Sequence, residues 1–207
     1  MRFLLAVLVE MTGIDFSRNH HNNRKATHWT HMDTSENPFR EVILSTGKIQ
    51  DRVQELGRQI TRDYQGNALV LLGVLNGAFI FAADLCRAID LDLEIDFIRV
   101  ASYGTSTVSS GTIRLLKEPG IDLAGKDVLL VEDIVDTGTT MAWLQDHFRH
   151  SPARSVRICS LIDKKERRLV PVDVDYIGFA LDRGFLVGYG LDCAEKYRNL
   201  PAIYSLE

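Results

Sequence analysis

The sequence predicts an α/β domain with a mostly parallel sheet flanked by helices, and three stretches carry that prediction. Val128-Leu129-Leu130-Val131 and Ala68 to Leu75 (ALVLLGVL) are continuous apolar runs, and Ser155 to Ile162 (SVRICSLI) is largely apolar, the pattern of strands buried in a parallel sheet. The first two each lead through a Gly-containing turn into a helix-like segment, the repeating unit of a parallel sheet. With 207 residues, 45% hydrophobic and 25% charged, the chain is long enough for one domain with a full core.

The first 37 residues do not share this pattern. Phe3 to Val9 is apolar but too short to span a membrane, and Glu10 stands where small cleavage-site residues belong. Asp15 to His31 is polar and carries His20, His21, His28 and His31. A His-rich tract can bind zinc, but without cysteines or spaced acidic partners this one reads as tail. Residues 1–37 are therefore expected to be a disordered extension, and residues 38–207 the folded domain.

Glu41 to Leu44 is a short extended lead, after which Ser45 or Thr46 can cap a helix whose Ile49, Val53, Leu56 and Ile60 form one apolar stripe ending before Gly66. The strand Ala68 to Leu75 is broken by Asn76-Gly77 before a helix over Ala78 to Ile89. Leu93 to Val100 alternates as a strand does, whereas Ala101 to Gly111 (ASYGTSTVSSG) has no apolar core and is expected to be a mobile loop. Thr112 to Leu116 returns as a strand, and Pro119 to Lys126 is a turn-rich link. After Val131 come Glu132, Asp133 and Asp136, then Thr137-Gly138-Thr139-Thr140 and a helix to Phe148, stopped at Ser151-Pro152. The strand Ser155 to Ile162 ends in the charge run Asp163 to Arg168, and Val172 to Ala180 and Phe185 to Tyr189 read as short strands.

The order strand, acidic edge, small-residue turn, helix has chemical content. Ligands of open α/β sheets sit at the carboxyl ends of the strands, and a Gly/Thr turn opening a helix offers free N–H groups to a phosphate. Carboxylates beside such a cradle can bind ribose hydroxyls or hold Mg²⁺, which together suggest a phosphorylated sugar. Taken singly, Glu-Asp after a strand is a solvated turn and Thr-Gly-Thr-Thr an N-cap. A net charge of −4 gives no general attraction for nucleic acid or an anionic membrane. Cys86, Cys159 and Cys193 are far apart, with neither CxxC nor a disulfide ladder, as in a cytosolic protein with reduced thiols.

The whole segment VLLVEDIVDTGTTM, residues 128–141, resembles the phosphoribosyl-diphosphate-binding motif of type I phosphoribosyltransferases, and its wording VEDIVDTG is most similar to the hypoxanthine-guanine branch. A second similar stretch, FLVGYGLDCAEKYRNLP, begins at Phe185, and the likeness covers roughly residues 38–206. The resemblance implies the type I phosphoribosyltransferase fold, with a small hood built from about 38–44 and 164–207. It implies transfer of the phosphoribosyl group from 5-phosphoribosyl 1-diphosphate to hypoxanthine or guanine, with Mg²⁺ as cofactor, by a cytoplasmic homodimer or homotetramer.

Roles carried over from the family fall on matching positions. Glu132 and Asp133 would bind the ribose hydroxyls and help hold metal, Asp136 would exchange a proton at purine N7, and Thr137, Gly138, Thr139 and Thr140 would hold the 5′-phosphate. Leu75, Asn76 and Gly77 form the pyrophosphate loop, in which many members carry Lys where this chain has Asn76. Ser102-Tyr103 opens a loop that closes over the site. Lys164 would donate to the purine 6-oxo oxygen, Phe185 stack on the ring, and the Leu186 backbone read its edge. Asp192 would ligate the metal, and Arg198 contact pyrophosphate. A transferase for another base such as xanthine is the nearest alternative; adenine is disfavoured because an ammonium only donates. A phosphoribosyltransferase-fold regulator that binds RNA would need a basic face, which the net charge opposes.

Overall fold

A computed structural model describes residues 39–103, 112–182 and 184–206. The extension expected over residues 1–37 lies outside the described residues, as do positions 104–111 of the expected loop and the side chains of Ser102 and Tyr103. Pro38–Glu207 forms one unit.

The element order is β1 (Phe39–Leu44), α1 (Thr46–Asp63), β2 (Leu69–Leu75), α2 (Phe79–Ala88), β3 (Leu93–Tyr103), β4 (Thr112–Lys117), β5 (Asp127–Val135), α3 (Thr139–Arg149), β6 (Ser155–Lys164), β7 (Tyr176–Leu181), β8 (Phe185–Val187) and β9 (Ile203–Leu206). Six strands form the main sheet in the order β4-β3-β2-β5-β6-β7. All neighbours pair in parallel except β3 and β4. This is the mixed, mostly parallel sheet that the sequence resemblance implies. The apolar runs β2 and β5 lie side by side in its middle, where helices cover both faces and every side chain needs to be apolar.

Two cores follow from that layering. Ile49, Val53, Leu56 and Ile60 of α1 pack with Phe81, Ala82 and Leu85 of α2 against Leu71, Leu129 and Leu161 on one face. Met141, Leu144 and Phe148 of α3 meet Val70, Leu72, Val128, Leu130 and Ile158 on the other. Ser45 caps α1, its side-chain oxygen accepting from Lys48 N at 3.4 Å. Gly57 permits close approach of α1 and α2, since a Cβ there would lie 2.4 Å from Ala88 O.

Several boundaries differ from the sequence reading, among them β5, which runs past Val131 to Val135, and β8, which ends at Val187. Strand β3 runs three residues past Val100, because Ala101, Ser102 and Tyr103 pair with Arg114, Ile113 and Thr112; cross-strand pairing supplies order that local composition does not. Strand β7 starts at Tyr176 rather than Val172, since parallel pairing with β6 begins only at Cys159↔Tyr176. The C-terminal strand β9, unannounced by any periodicity, lies between β1 and β8 in a separate three-stranded antiparallel sheet. Among the described residues no helix is long and apolar enough to cross a membrane.

Candidate active site

The carboxyl ends of β2, β5 and β6 open on one side of the sheet. A cleft of about 270 Å³ there is lined by Leu75, Glu132, Asp136, Thr137, Gly138 and Thr140, together with apolar neighbours such as Val74 and Met141. The sequence-predicted motif therefore lines a cavity as one piece.

Gly138 caps α3 with φ 82° and ψ −15°, a left-handed conformation that glycine adopts at little cost. A Cβ on it would sit 2.3 Å from Val170 O and 2.8 Å from Arg168 Cδ, so the turn is closed from behind by the segment after β6. Leu169 N and Val170 N both donate to Thr137 O, at 2.9 and 3.1 Å. Thr139 and Thr140 begin the helix; Thr139 N donates to Thr137 Oγ1 at 3.4 Å, and the other first-turn amides, with no intrahelical acceptor and no side-chain cap on Gly138, are suited to hold an anion.

The acidic edge is unevenly charged. Glu132 and Asp133 are both buried. Burial, then the adjacent Asp133 carboxylate, pushes the Glu132 carboxyl well above the usual range. Asp133 accepts from Ile134 N at 2.9 Å and presses on the next loop: a Cβ on Gly77 would fall 1.9 Å from Asp133 Oδ2. That loop follows a cis peptide between Leu75 and Asn76. Gly77 in turn touches Gly190, whose added Cβ would be 2.1 Å from Gly77 O. Gly190 O accepts from Arg198 Nη1 at 2.9 Å. Acidic edge, pyrophosphate loop and C-terminal loop are thus in van der Waals series.

Asp136 and Lys164 meet at the other end. Val135 stands opposite Asp163 in the ladder, so Asp136, just past the end of β5, lies beside Lys164, the last residue of β6, with Lys164 Nζ 3.9 Å from Asp136 Oδ1. Lys164 is buried, its side chain 7% exposed, against 75% for Lys165. Arg167 Nη1 lies 3.4 Å from the second Asp136 oxygen. Asp136 Oδ1 is itself buried without a hydrogen-bond partner, a loss of about 1–3 kcal/mol unless a ligand supplies the donor.

The residues expected to read the purine are split between the two sheets. Lys164 ends β6, whereas Phe185 and Leu186 open β8. Phe185 is 54% exposed and Leu186 buried, leaving one aromatic face free to stack. Ser102 and Tyr103 end β3 rather than beginning a loop. Asp192 is engaged by Arg198 Nη2 at 2.8 Å and by Glu195 N at 2.8 Å.

Glu132, Asp133 and Asp192 do not form a ready-made metal cluster; among the described residues no three His, Cys, Asp or Glu side chains converge on a point. The physical reason is that Glu132 is buried beside Asp133 while Asp192 is held by Arg198. The donor set still suits Mg²⁺, a hard ion that takes one or two carboxylates and completes its shell with water and substrate phosphate oxygens. Asp192, only 29% exposed in its side chain and already ordered by two contacts, is the residue that would hold it.

Sequence reasoning missed Arg168. Within the run DKKERR it looks like solvated surface, yet its side chain is only 16% exposed and donates to the backbone carbonyls of Val135 and Asp136, just before the Thr137 to Thr140 turn. A charge run alone carries no signal that separates it from exposed Lys165.

Comparisons with known proteins agree with this geometry. The family model for a phosphoribosyl transferase domain matches residues 40–194. The chain is 45% identical over 163 residues to the hypoxanthine-guanine phosphoribosyltransferase of Bacillus subtilis, covering 79% of this chain and 91% of that one. It is 43% identical over 171 residues to the bifunctional protein TilS/HprT of Listeria innocua, covering 83% of this chain but 26% of that protein; it thus spans about a quarter of the length of the bifunctional relatives. A crystal structure of a hypoxanthine phosphoribosyltransferase from Staphylococcus aureus superposes with a TM-score of 0.81 at 41% identity, over 86% of this chain and 96% of that one.

Proposed function

Because this chain belongs to the phosphoribosyltransferase family, on its hypoxanthine-guanine branch, we propose that it transfers the 5-phosphoribosyl group of 5-phosphoribosyl 1-diphosphate to N9 of hypoxanthine or guanine, giving IMP or GMP and pyrophosphate. The observation that carries the reading is the buried, unpartnered Asp136 oxygen beside buried Lys164, at the rim of the phosphate cradle.

In this reading the 5′-phosphate takes the first-turn amides of α3 and the hydroxyls of Thr137, Thr139 and Thr140. Glu132 and Asp133 accept from the ribose hydroxyls and favour the positive charge that develops on the ring as the bond from C1′ to the diphosphate oxygen breaks. Purine N9 supplies the electron pair for the new C1′–N bond, the old bond's pair leaves with pyrophosphate, and Asp136 takes the proton from N7. The Leu75-Asn76-Gly77 loop and Arg198 receive the leaving pyrophosphate. Asp192 would hold Mg²⁺, which when bound would supply charge neutralisation to the leaving group; Asn76 adds no cation of its own to this loop. Lys164 donates to the 6-oxo oxygen and Phe185 stacks. The small sheet of β1, β8 and β9 acts as hood over the base. The enzyme works in purine salvage as a cytoplasmic homodimer or homotetramer with small-molecule substrates.

The test is base choice. Initial rates with hypoxanthine, guanine, xanthine and adenine at fixed diphosphate sugar should show 6-oxopurines used and adenine rejected, by ~10⁴-fold where a buried donor goes unmatched. Lys164→Gln, which adds an acceptor, should cost most with hypoxanthine and guanine and give adenine a relative gain. Lys165→Gln should change little. Efficient use of adenine by the wild type, or indifference to Lys164→Gln, would remove the reading's chemical support.

A further inference from the structure

Arg168 stands behind the site and touches neither substrate in the reaction as proposed. Its Nε donates to Asp136 O at 3.0 Å. Its Nη2 donates to Val135 O at 3.0 Å, to Lys164 O at 3.2 Å and to a carboxylate oxygen of Asp163. The stem of the side chain packs on Gly138, and the two amides that follow it hold Thr137 O. One guanidinium therefore joins the backbone of the acid/base residue and its turn to the backbone of the purine-reading lysine, across two neighbouring strands. A planar fork with fixed donor directions suits this; an ammonium, a single point of charge, cannot span the same acceptors.

An ordinary buried ion pair with Asp163, which is 4% exposed in its side chain, would stabilise the fold equally well without any of the three carbonyl contacts. Those contacts converge where Asp136, just past the end of β5, lies beside Lys164, the last residue of β6. We infer that Arg168 is a positioning residue that couples the phosphate cradle to the purine lysine, so that filling one end of the cleft is felt at the other. The inference rests on the transferase reading above.

Calorimetry on the full-length protein separates the two roles. Hypoxanthine is titrated with and without saturating ribose 5-phosphate, which fills the cradle only. In the wild type the sugar phosphate should tighten hypoxanthine by ~5-fold or more, within the usual range of site coupling. In Arg168→Lys, with a cooperative melt established first, that factor should fall to near one while each ligand alone still binds. Asp163→Asn keeps the carbonyl contacts and removes the ion pair, so coupling should survive there at whatever melting temperature results. No coupling in the wild type, full coupling in Arg168→Lys, or loss in Asp163→Asn equal to that in Arg168→Lys would each overturn the inference. Should Arg168→Lys not fold, Asp163→Asn decides: retained coupling supports it and lost coupling ends it. A wild type that binds no purine at all would instead strike the transferase reading, and is scored before any variant.

Discussion

Gly138→Ala tests whether the phosphate cradle is built by backbone conformation or by close packing, and the structure supplies its own control. Gly138 and Gly66 have nearly the same backbone, φ +82° and +79°, but a Cβ at Gly66 meets nothing within 4 Å whereas one at Gly138 meets Val170 O at 2.3 Å and Arg168 Cδ at 2.8 Å. Gly66→Ala therefore measures the left-handed penalty alone, about 1–2 kcal/mol. Gly138→Ala carries the same penalty plus overpacking of typically 1–3 kcal/mol, and the clash is with a backbone carbonyl that cannot rotate away. For a domain of this size each kcal/mol shifts Tm by roughly 2–4 °C, so Gly66→Ala should lose a few degrees and Gly138→Ala clearly more. Function should separate them further. Relief of the clash pushes the turn from Val170 and loosens the Thr137 O contacts, which should raise KM for the diphosphate sugar by ~10-fold or more if a contact to its phosphate is lost, whereas Gly66→Ala leaves KM unchanged. Scanning calorimetry and initial rates make both measurements. Equal Tm losses in the two variants, or an unchanged KM in Gly138→Ala, would refute the packing argument.

Asp136→Asn should lower kcat by ~10²-fold or more with little change in diphosphate-sugar binding; wild-type turnover would exclude proton transfer at this residue. Chelation by excess EDTA should silence the enzyme and Mg²⁺ restore it, with Asp192→Ala needing more Mg²⁺; activity indifferent to EDTA would contradict the proposed leaving-group chemistry. Glu132→Gln should stabilise the empty protein at neutral pH while impairing catalysis. The sign follows from the raised Glu132 pKa, caused by burial and Asp133. The folded state favours the protonated acid, so its contribution is complete below the unfolded carboxyl pKa of roughly 4.3 and is lost as pH rises through the folded value. The Tm advantage of Glu132→Gln should grow from about pH 4 upward; parallel Tm curves for variant and wild type would show that Glu132 is not destabilised by its site.

Much of the protein is local and was therefore legible in the chain. The apolar runs within β2 and β5 and the largely apolar β6 state burial in the sheet, the stripe Ile49, Val53, Leu56 and Ile60 states a helix face, and the order Glu132 to Thr140 places acids and amides on consecutive positions of one strand, turn and helix. Their physical cause lies in residues a few positions apart. Base choice is partly local too, since Lys164 follows directly from the end of a buried strand.

What depends on distant residues only the tertiary structure decided. The pairing of Ser102 with Ile113 turns expected loop into strand. The chain from Asp133 through Gly77 and Gly190 to Arg198 joins segments whose sequence separation hides their contact. In the run DKKERR, Lys164 and Arg168 are buried while Lys165 is exposed, because one cation faces the cleft, another bridges the carbonyl ends of two strands and the third meets water. Composition assigns all three the same charge; only the fold assigns them different partners.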